Sequence, residues 1–162
     1  MINAVVITLS DRSFNNKRED LSGPVLIDYL KKEFTDIQIS YKLLPDDINL
    51  IEKLLRELCD KTDLVVTTGG TGVMERDITP DATLKVIEKR LLGFEEVMRL
   101  KSFEITPHGI ISRGIVGSCG KTLIINLPGS PKAAVENISF ISSAIPHTIA
   151  KLQGDPREEE IY

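Results

Sequence analysis

Apolar residues along the chain fall into short continuous runs separated by longer stretches with helical spacing. The runs AVVITL and LVVTT are β-branched, of strand length and apolar throughout, which favours strands that are buried on both faces of a parallel sheet. QISYKLL and TLIINL are two further strand candidates. The alternation of strands with helices predicts an α/β fold, a single three-layer domain with a mostly parallel central sheet and helices on both faces.

Four stretches have the spacing of amphipathic helices: GPVLIDYLKKEF, NLIEKLLRELCDK, DATLKVIEKRL and KAAVENISFISSAIPHTIAKL. Pro146 lies inside the last stretch and is expected to kink or divide it, because proline lacks the N–H that a helix interior needs. Ser22, Thr79 and Ser130 stand where helices begin, and each could accept a hydrogen bond from the first free backbone N–H groups.

Composition and charge narrow the range of partners. With 162 residues and 41% hydrophobic content, one domain with a sizeable core is expected. The formal net charge of -4 argues against a general attraction to nucleic acid or to an anionic membrane. There is no apolar run long enough to span a bilayer, and the start, MINAVVITLSD, lacks a secretion signal, so a cytoplasmic protein is expected. The end of the chain, GDPREEEIY, is typical of a loose acidic tail, which predicts a domain over residues 1–154 and a tail over residues 155–162.

The two cysteines, Cys59 and Cys119, have neither the spacing of a zinc site nor that of a disulfide framework. Cys59 continues the apolar stripe of a predicted helix and is expected in the core. Cys119 lies in GSCGK, where a glycine-rich turn needs only a small side chain. We therefore expect two structural cysteines without a bridge or a metal.

The loop after LVVTT is the strongest candidate for binding an anion. Gly69, Gly70 and Gly72 lack Cβ atoms, so the backbone can take positive φ and bring its N–H groups close to a phosphate. A tight turn that needs glycine only for its geometry remains the alternative. The G-x-G-x-x-G dinucleotide fingerprint does not fit these positions, and GSCGKT lacks the first glycine of a P-loop.

Carboxylates follow three of the predicted strands. Asp11 comes after AVVITL, Asp46 after QISYKLL, and Asp77 lies five residues beyond Gly72. Magnesium nucleotides are usually bound through one or two carboxylates, although each of these residues could instead be a helix cap or a turn residue. Four basic residues near the same loops could neutralise anionic groups: Arg12, Arg76, Arg113 and Lys132. The residues by themselves indicate an anion-binding α/β domain.

Five segments, in this order, resemble a known family: ITLSDRS, DLSG, TTGGTGVMERDITPDAT, ISRG and INLPGSPKAAVENI. Together they resemble the molybdopterin adenylyltransferases of the MoaB/Mog type, a family that includes the corresponding domain of gephyrin. The resemblance covers essentially the whole chain. The SDR sequence and the long loop after it resemble the Mog branch, whose members are typically trimeric. Val73, Met74 and Glu75 stand where many relatives have small residues and proline.

The resemblance implies a MoaB/Mog-like fold and a reaction in molybdenum cofactor biosynthesis. The terminal phosphate of molybdopterin would attack the α-phosphate of magnesium ATP, giving adenylyl-molybdopterin and pyrophosphate. The implied partners are molybdopterin, ATP, two further copies of the chain in a homotrimer, and a downstream protein that inserts molybdate. A non-catalytic carrier or scaffold for molybdopterin is the alternative. A nucleotide-dependent oxidoreductase is disfavoured because the dinucleotide fingerprint is missing.

The resemblance also implies the residues of the site. Asp46 and Asp77 match two functionally sensitive aspartates of the family and are expected to act in catalysis and to hold Mg²⁺. Phosphates would be held by the loop of Gly69, Gly70, Thr71 and Gly72. The pterin and nucleotide pocket would be lined by Ser10, Asp11, Arg12, Ser22, Ser112, Arg113, Pro128, Gly129 and Ser130.

Overall fold

The computed structural model describes residues 1–155 and is built around one six-stranded sheet. The strand order is β2-β1-β3-β6-β5-β4. β2, β1, β3 and β6 are parallel neighbours, and β5 runs antiparallel to both β6 and β4. The strands are β1 Ile2–Leu9, β2 Ile37–Leu44, β3 Leu64–Thr68, β4 Lys89–Arg90, β5 Val116–Cys119 and β6 Thr122–Leu127. The prediction of a mostly parallel sheet is confirmed.

Helices cover both faces of the sheet. The α-helices are α1 Asp11–Phe14, α2 Ser22–Glu33, α3 Ile48–Leu58, α4 Thr79–Leu84, α5 Leu92–Ile105, α6 Pro131–Ile141 and α7 Ile145–Gln153. Two short 3-10 helices span Pro107–Ile111 and Ser142–Ala144. α2, α5, α6 and α7 pack on one face, whereas α3 and α4 pack on the other. The prediction of three layers is therefore confirmed.

The central strands alternate their side chains between the two cores. In β3, Leu64 and Val66 belong to the core under α2 and α6, whereas Val65 belongs to the core under α3. Every residue of β3 and β6 is buried. A strand whose side chains are buried on both faces has no solvent-exposed position, which explains why LVVTT lacks charged residues.

The stretch DATLKVIEKRL was predicted to form one helix, and this prediction is wrong beyond Leu84. Residues 88–91 instead pair with β5, because the N–H groups of Glu88 and Leu91 donate to the carbonyls of Ser118 and Val116 at 2.7 and 2.8 Å. The helix α5 that follows was not predicted. Strand pairing with a distant segment has overridden the local helical spacing.

The predicted division of the last helix is confirmed. α6 ends at Ile141, a 3-10 turn follows, and Pro146 lies in the first turn of α7. Among the predicted helix caps, only Ser130 accepts a backbone hydrogen bond, from the N–H of Ala133 at 3.5 Å. The hydroxyls of Ser22 and Thr79 donate instead, to the carbonyls of Gly129 and Gly69. Those two predicted caps are wrong.

The expectation that the cysteines form no bridge is also wrong. Cys59, at the end of α3, and Cys119, at the end of β5, have their sulfur atoms 2.11 Å apart and their Cα atoms 5.5 Å apart. They form a disulfide that joins α3 to the β5–β6 hairpin. Sixty residues separate them in sequence, so only the fold makes them neighbours.

Two further expectations concern the C-terminal tail and membrane-spanning segments. The predicted acidic tail lies outside the described residues apart from Asp155, so the proposed boundary after residue 154 stays a prediction. Across residues 1–155, the helices all fall short of the length and apolar character that a membrane crossing requires.

Candidate functional site

A cavity of about 340 Å³ opens where the parallel strands end. Its walls come from the loops after β1, β2, β3 and β6, together with the segment before α2. This is the edge at which ligands bind in open α/β sheets. The predicted site residues that line it are Ser10, Asp11, Arg12, Ser22, Asp46, Gly69, Gly70, Asp77, Gly129 and Ser130. The fold thus brings together residues that lie up to 120 positions apart in the sequence.

The glycine loop owes its composition to close backbone contacts. Gly69 has φ +105° and Gly70 has φ +63°, which side chains other than glycine rarely adopt. A Cβ on Gly69 would collide with the carbonyl oxygen of Leu9, and one on Gly70 would collide with the hydroxyl of Thr79. Gly69 and Gly70 are therefore required by the geometry of the turn, which was the alternative to phosphate binding. This requirement does not exclude phosphate binding, because the Gly70 N–H has no acceptor within residues 1–155.

Asp11 and Asp46, which both line the cavity, are joined by two hydrogen bonds. The Asp11 N–H donates to Asp46 Oδ2 at 3.1 Å, and the Asp46 N–H donates to Asp11 Oδ1 at 2.9 Å. These two bonds join the loop after β1 to the loop after β2. Burial raises the pKa of Asp46, and the charges of Asp11 and Asp77 act in the same direction, against the Asp11 N–H and Arg76. The hydrogen bond from the Asp11 N–H and the charge of Arg76 therefore do not fully offset the cost of keeping the Asp46 carboxylate ionised.

Asp77 reaches the same cavity from the loop after β3. Its Oδ2 accepts the N–H of Met74 at 2.9 Å, which closes a small turn within the loop. The carboxylate lies directly over Gly72, where an added Cβ would come within 2.6 Å of Oδ2. Gly72 is thus needed to seat Asp77, although it does not line the cavity.

Asp20 is a cavity residue whose role was not predicted. Its carboxylate accepts hydrogen bonds from Thr8 Oγ1 at 2.9 Å, Tyr41 Oη at 2.6 Å, and the N–H groups of Ser22 and Gly23 at the start of α2. Burial, and then the bond to Asp20, raises the pKa of Tyr41 to about 12. Asp20 stands in the quoted DLSG segment, and its position two residues before Ser22 is the spacing of an aspartate cap. That spacing was the signal that could have revealed it.

Several other lining residues were not predicted as site residues. They are Thr8, Leu9, Ser13, Arg18, Glu19, Leu21, Thr68 and Arg76, although Arg76 was noted for its charge. Arg12, Arg18 and Arg76 line the cavity together with its acidic residues. Arginine matches the geometry of phosphate oxygens, so the cavity has the donors that an anionic ligand needs.

The remaining predicted site residues lie outside the cavity lining, in positions that support its loops. The Pro128 carbonyl accepts the hydroxyl of Thr68 at 2.7 Å, and the Ser112 hydroxyl accepts the N–H of Gly114 at 3.3 Å. The carbonyl of the buried Thr71 accepts the N–H of Arg113 at 2.8 Å. The structure therefore separates these residues and Gly72 from the cavity walls.

The chain is similar to a known protein family and to several known proteins. Residues 5–147 match the family described as "Probable molybdopterin binding domain". The chain is 43% identical over 153 residues to molybdopterin adenylyltransferase from Helicobacter pylori strain J99, covering 93% of this chain and 87% of that protein. It is 37% identical over 162 residues to gephyrin from Dictyostelium discoideum, covering 94% of this chain and 23% of gephyrin.

The fold agrees with a solved structure of the same kind. The crystal structure of the molybdopterin biosynthesis enzyme MoaB from Thermus thermophilus superimposes with a TM-score of 0.87 at 37% identity, covering 96% of this chain and 98% of that one. The family model matches most of the chain, and both the sequence and the fold agree with its members. The chain therefore belongs to the probable molybdopterin binding domain family.

Proposed function

We propose that the chain is a molybdopterin adenylyltransferase, which transfers the adenylyl group of ATP to molybdopterin and releases pyrophosphate. The relative from H. pylori that carries this name is similar over most of both chains. The observation that carries the proposal is the cavity, in which Asp46 and Asp77 stand beside the glycine loop.

The surroundings of the cavity suit a reaction between anions. The attacking group is the terminal phosphate of molybdopterin, which is already negatively charged, so the reaction needs no strong base. Arg12, Arg18 and Arg76 can offset the repulsion between the two substrates. The Gly70 N–H and the arginines can stabilise charge on the phosphoryl group that is transferred, and the fixed loops can align the reacting atoms.

The carboxylates fit a magnesium ion that arrives with the nucleotide. Within residues 1–155, three or more metal-ligating side chains are nowhere grouped closely enough to hold a metal by themselves. Mg²⁺ bound to a nucleotide needs only one or two carboxylates. Asp46 Oδ1 accepts no hydrogen bond from the described residues, and the raised pKa of Asp46 marks a carboxylate that a cation would stabilise. When bound, the ion would neutralise phosphate charge, and Asp46 with Asp77 would hold it.

The test is a reaction of the purified protein with molybdopterin and magnesium ATP, with separation of the products. We expect adenylyl-molybdopterin and one pyrophosphate per transfer. Asp77→Asn should abolish most of the turnover while the fold is kept, because it removes one charge from a polar rim and no core volume. Asp47→Asn is the matched control, since Asp47 caps α3 outside the cavity and asparagine caps equally well.

Two results would contradict the proposal. If Asp77→Asn and Asp47→Asn turn over at the same rate as the original protein, Asp77 takes no part in the reaction. If molybdopterin binds but ATP stays intact, the chain is a carrier or scaffold and not an enzyme.

We also propose that the chain forms a homotrimer and passes its product to a protein that inserts molybdate. α5 and the 3-10 helix after it expose a set of large apolar side chains: Leu92, Val97, Leu100, Phe103, Ile105, Ile110 and Ile111. Such a face is typical of a protein contact surface. Light scattering should give three times the mass of one chain, and Leu100→Glu should lower that mass. A monomer at micromolar concentration would contradict the trimer.

A cytoplasmic location stays a prediction.

A further inference from the structure

The Arg113 side chain lies behind the loop that carries Asp77. Its Nε donates to the carbonyl of Gly72 at 2.8 Å, and its Nη2 donates to the carbonyl of Asp77. The same guanidinium contacts both carboxylate oxygens of Asp81, in the first turn of α4, at 3.0 and 3.3 Å. Arg113 therefore joins the two ends of the segment 72–77 to the helix that follows it.

The middle of this segment has little else to hold it. Val73 and Met74 are 71% and 61% exposed, so core packing does not fix the loop. Within the loop, Met74 and Asp77 exchange two hydrogen bonds of 2.9 Å, one of which uses the Asp77 carboxylate. These bonds give the loop its internal shape, but they do not attach it to the sheet. Thr79 donates to the carbonyls of Gly69 and Gly70, which lie before the segment. The contacts that join the segment 72–77 itself to α4 are made by Arg113, whose own N–H also donates to the Thr71 carbonyl.

The contacts of Arg113 require a planar group with several donors. A guanidinium can reach two carbonyls and a carboxylate at once, because its N–H groups point in fixed, divergent directions. A lysine would keep the positive charge but would place it at one point. The loss of the shared contacts would leave the Gly72 and Asp77 carbonyls to solvent and release the loop.

We propose that Arg113 is a positioning residue that holds the Gly72–Asp77 loop so that the Asp77 carboxylate faces the cavity. This inference rests on the proposed function for its effect on turnover. Arg113 itself contacts backbone carbonyls and Asp81 and lies outside the cavity lining. Its effect on the reaction would pass through the loop, and a charge of the same sign could not replace it.

The test compares Arg113→Lys with Arg56→Lys. Arg56 makes the same kinds of contact, to the carboxylate of Glu52 and the carbonyl of Lys85, away from the cavity. We expect Arg113→Lys to lower kcat by roughly 10- to 100-fold with little change in the KM for ATP, since the catalytic group is displaced. Arg56→Lys should keep kcat. Guanidinium ion at millimolar concentration should restore part of the turnover of Arg113→Ala.

Hydrogen exchange provides a readout that does not depend on activity. Amides 72–77 should exchange faster in Arg113→Lys than in Arg56→Lys, while the β3 and β6 amides stay protected. If the original protein does not adenylylate molybdopterin, the proposed function fails, and the exchange rates still decide whether Arg113 holds the loop. Unchanged exchange in 72–77, or an active protein with equal kcat in both lysine variants, would overturn the inference. Faster exchange at every amide would also overturn it, since that would show a general loss of stability.

Discussion

The Glu95 carboxylate is a charged group with no exposed surface, and its removal should lower the stability of the fold. Its side chain is 0% exposed at the start of α5, where it accepts two bonds from Arg90 and one from Arg99, each 2.9 Å long. It also accepts the N–H of Val116 in β5 at 3.1 Å. One carboxylate thus joins the edge strand, the helix and the hairpin.

We expect Glu95→Gln to lower the free energy of unfolding by about 3 kcal/mol. Breaking a buried ion pair from one side costs about 3–5 kcal/mol. The lower end applies because Arg90 and Arg99 are partly exposed and can be rehydrated. The Val116 N–H keeps an acceptor in glutamine, which also moderates the loss.

The effect should depend on pH in a defined direction. Burial acts to raise the pKa of Glu95, but the bonds from Arg90, Arg99 and the Val116 N–H outweigh it and lower the pKa below its usual 4.5. A lowered folded-state pKa means that the stabilisation is present above the unfolded value and is lost as pH falls through the folded value. The difference between Glu95→Gln and the original protein should therefore narrow below about pH 4.5.

The assay is urea unfolding followed by circular dichroism at pH 7 and at pH 3.5, with Glu104→Gln as the control. Glu104 lies on the same helix and pairs with Lys101, but its side chain is 63% exposed, so its removal should cost less than about 1 kcal/mol. A similar loss of stability in the two variants at pH 7 would contradict the predicted role of the buried Glu95 carboxylate. A stability deficit of Glu95→Gln that grows as the pH falls would contradict it as well.

Three further predictions concern the bridge, the glycine loop and Asp46. Reduction of the Cys59–Cys119 disulfide should cost about 4 kcal/mol of stability, because the bridge closes a separation of 60 residues; equal urea midpoints with and without reductant would contradict this. Gly69→Ala should cost about 1–3 kcal/mol, owing to its positive φ and the contact with Leu9, whereas Gly93→Ala in open space should be neutral or stabilising in the same thermal unfolding assay. Asp46→Asn should lower turnover yet stabilise the fold at pH 7, because a raised folded-state pKa means that the ionised carboxylate costs stability above that pKa. The gain in stability should shrink as the pH falls through the folded-state pKa, and a gain that grows in acid would contradict this linkage.

The apolar pattern of the chain was enough to predict the three layers of the fold, and its glycines the loop that lines the cavity. A continuous apolar run of strand length that is rich in β-branched residues is typical of a strand buried on two faces, and LVVTT and TLIINL are such runs. Three glycines directly after a buried strand place a tight backbone turn at its end, whatever the rest of the chain does. The five ordered motifs then indicated the family, which the comparisons confirm.

Contacts between residues that are distant in the sequence became visible only in the fold. Asp11 and Asp46 are 35 positions apart, Arg113 and Gly72 are 41 apart, and the two cysteines are 60 apart. The same long-range pairing turned residues 88–91 from a predicted helix into a sheet edge, since their N–H groups found acceptors in β5. The spacing of apolar residues within a segment indicates which secondary structure that segment prefers. Which carbonyl, carboxylate or thiol it finally faces depends on the path of the whole chain, because contacts between distant segments leave no period in the sequence.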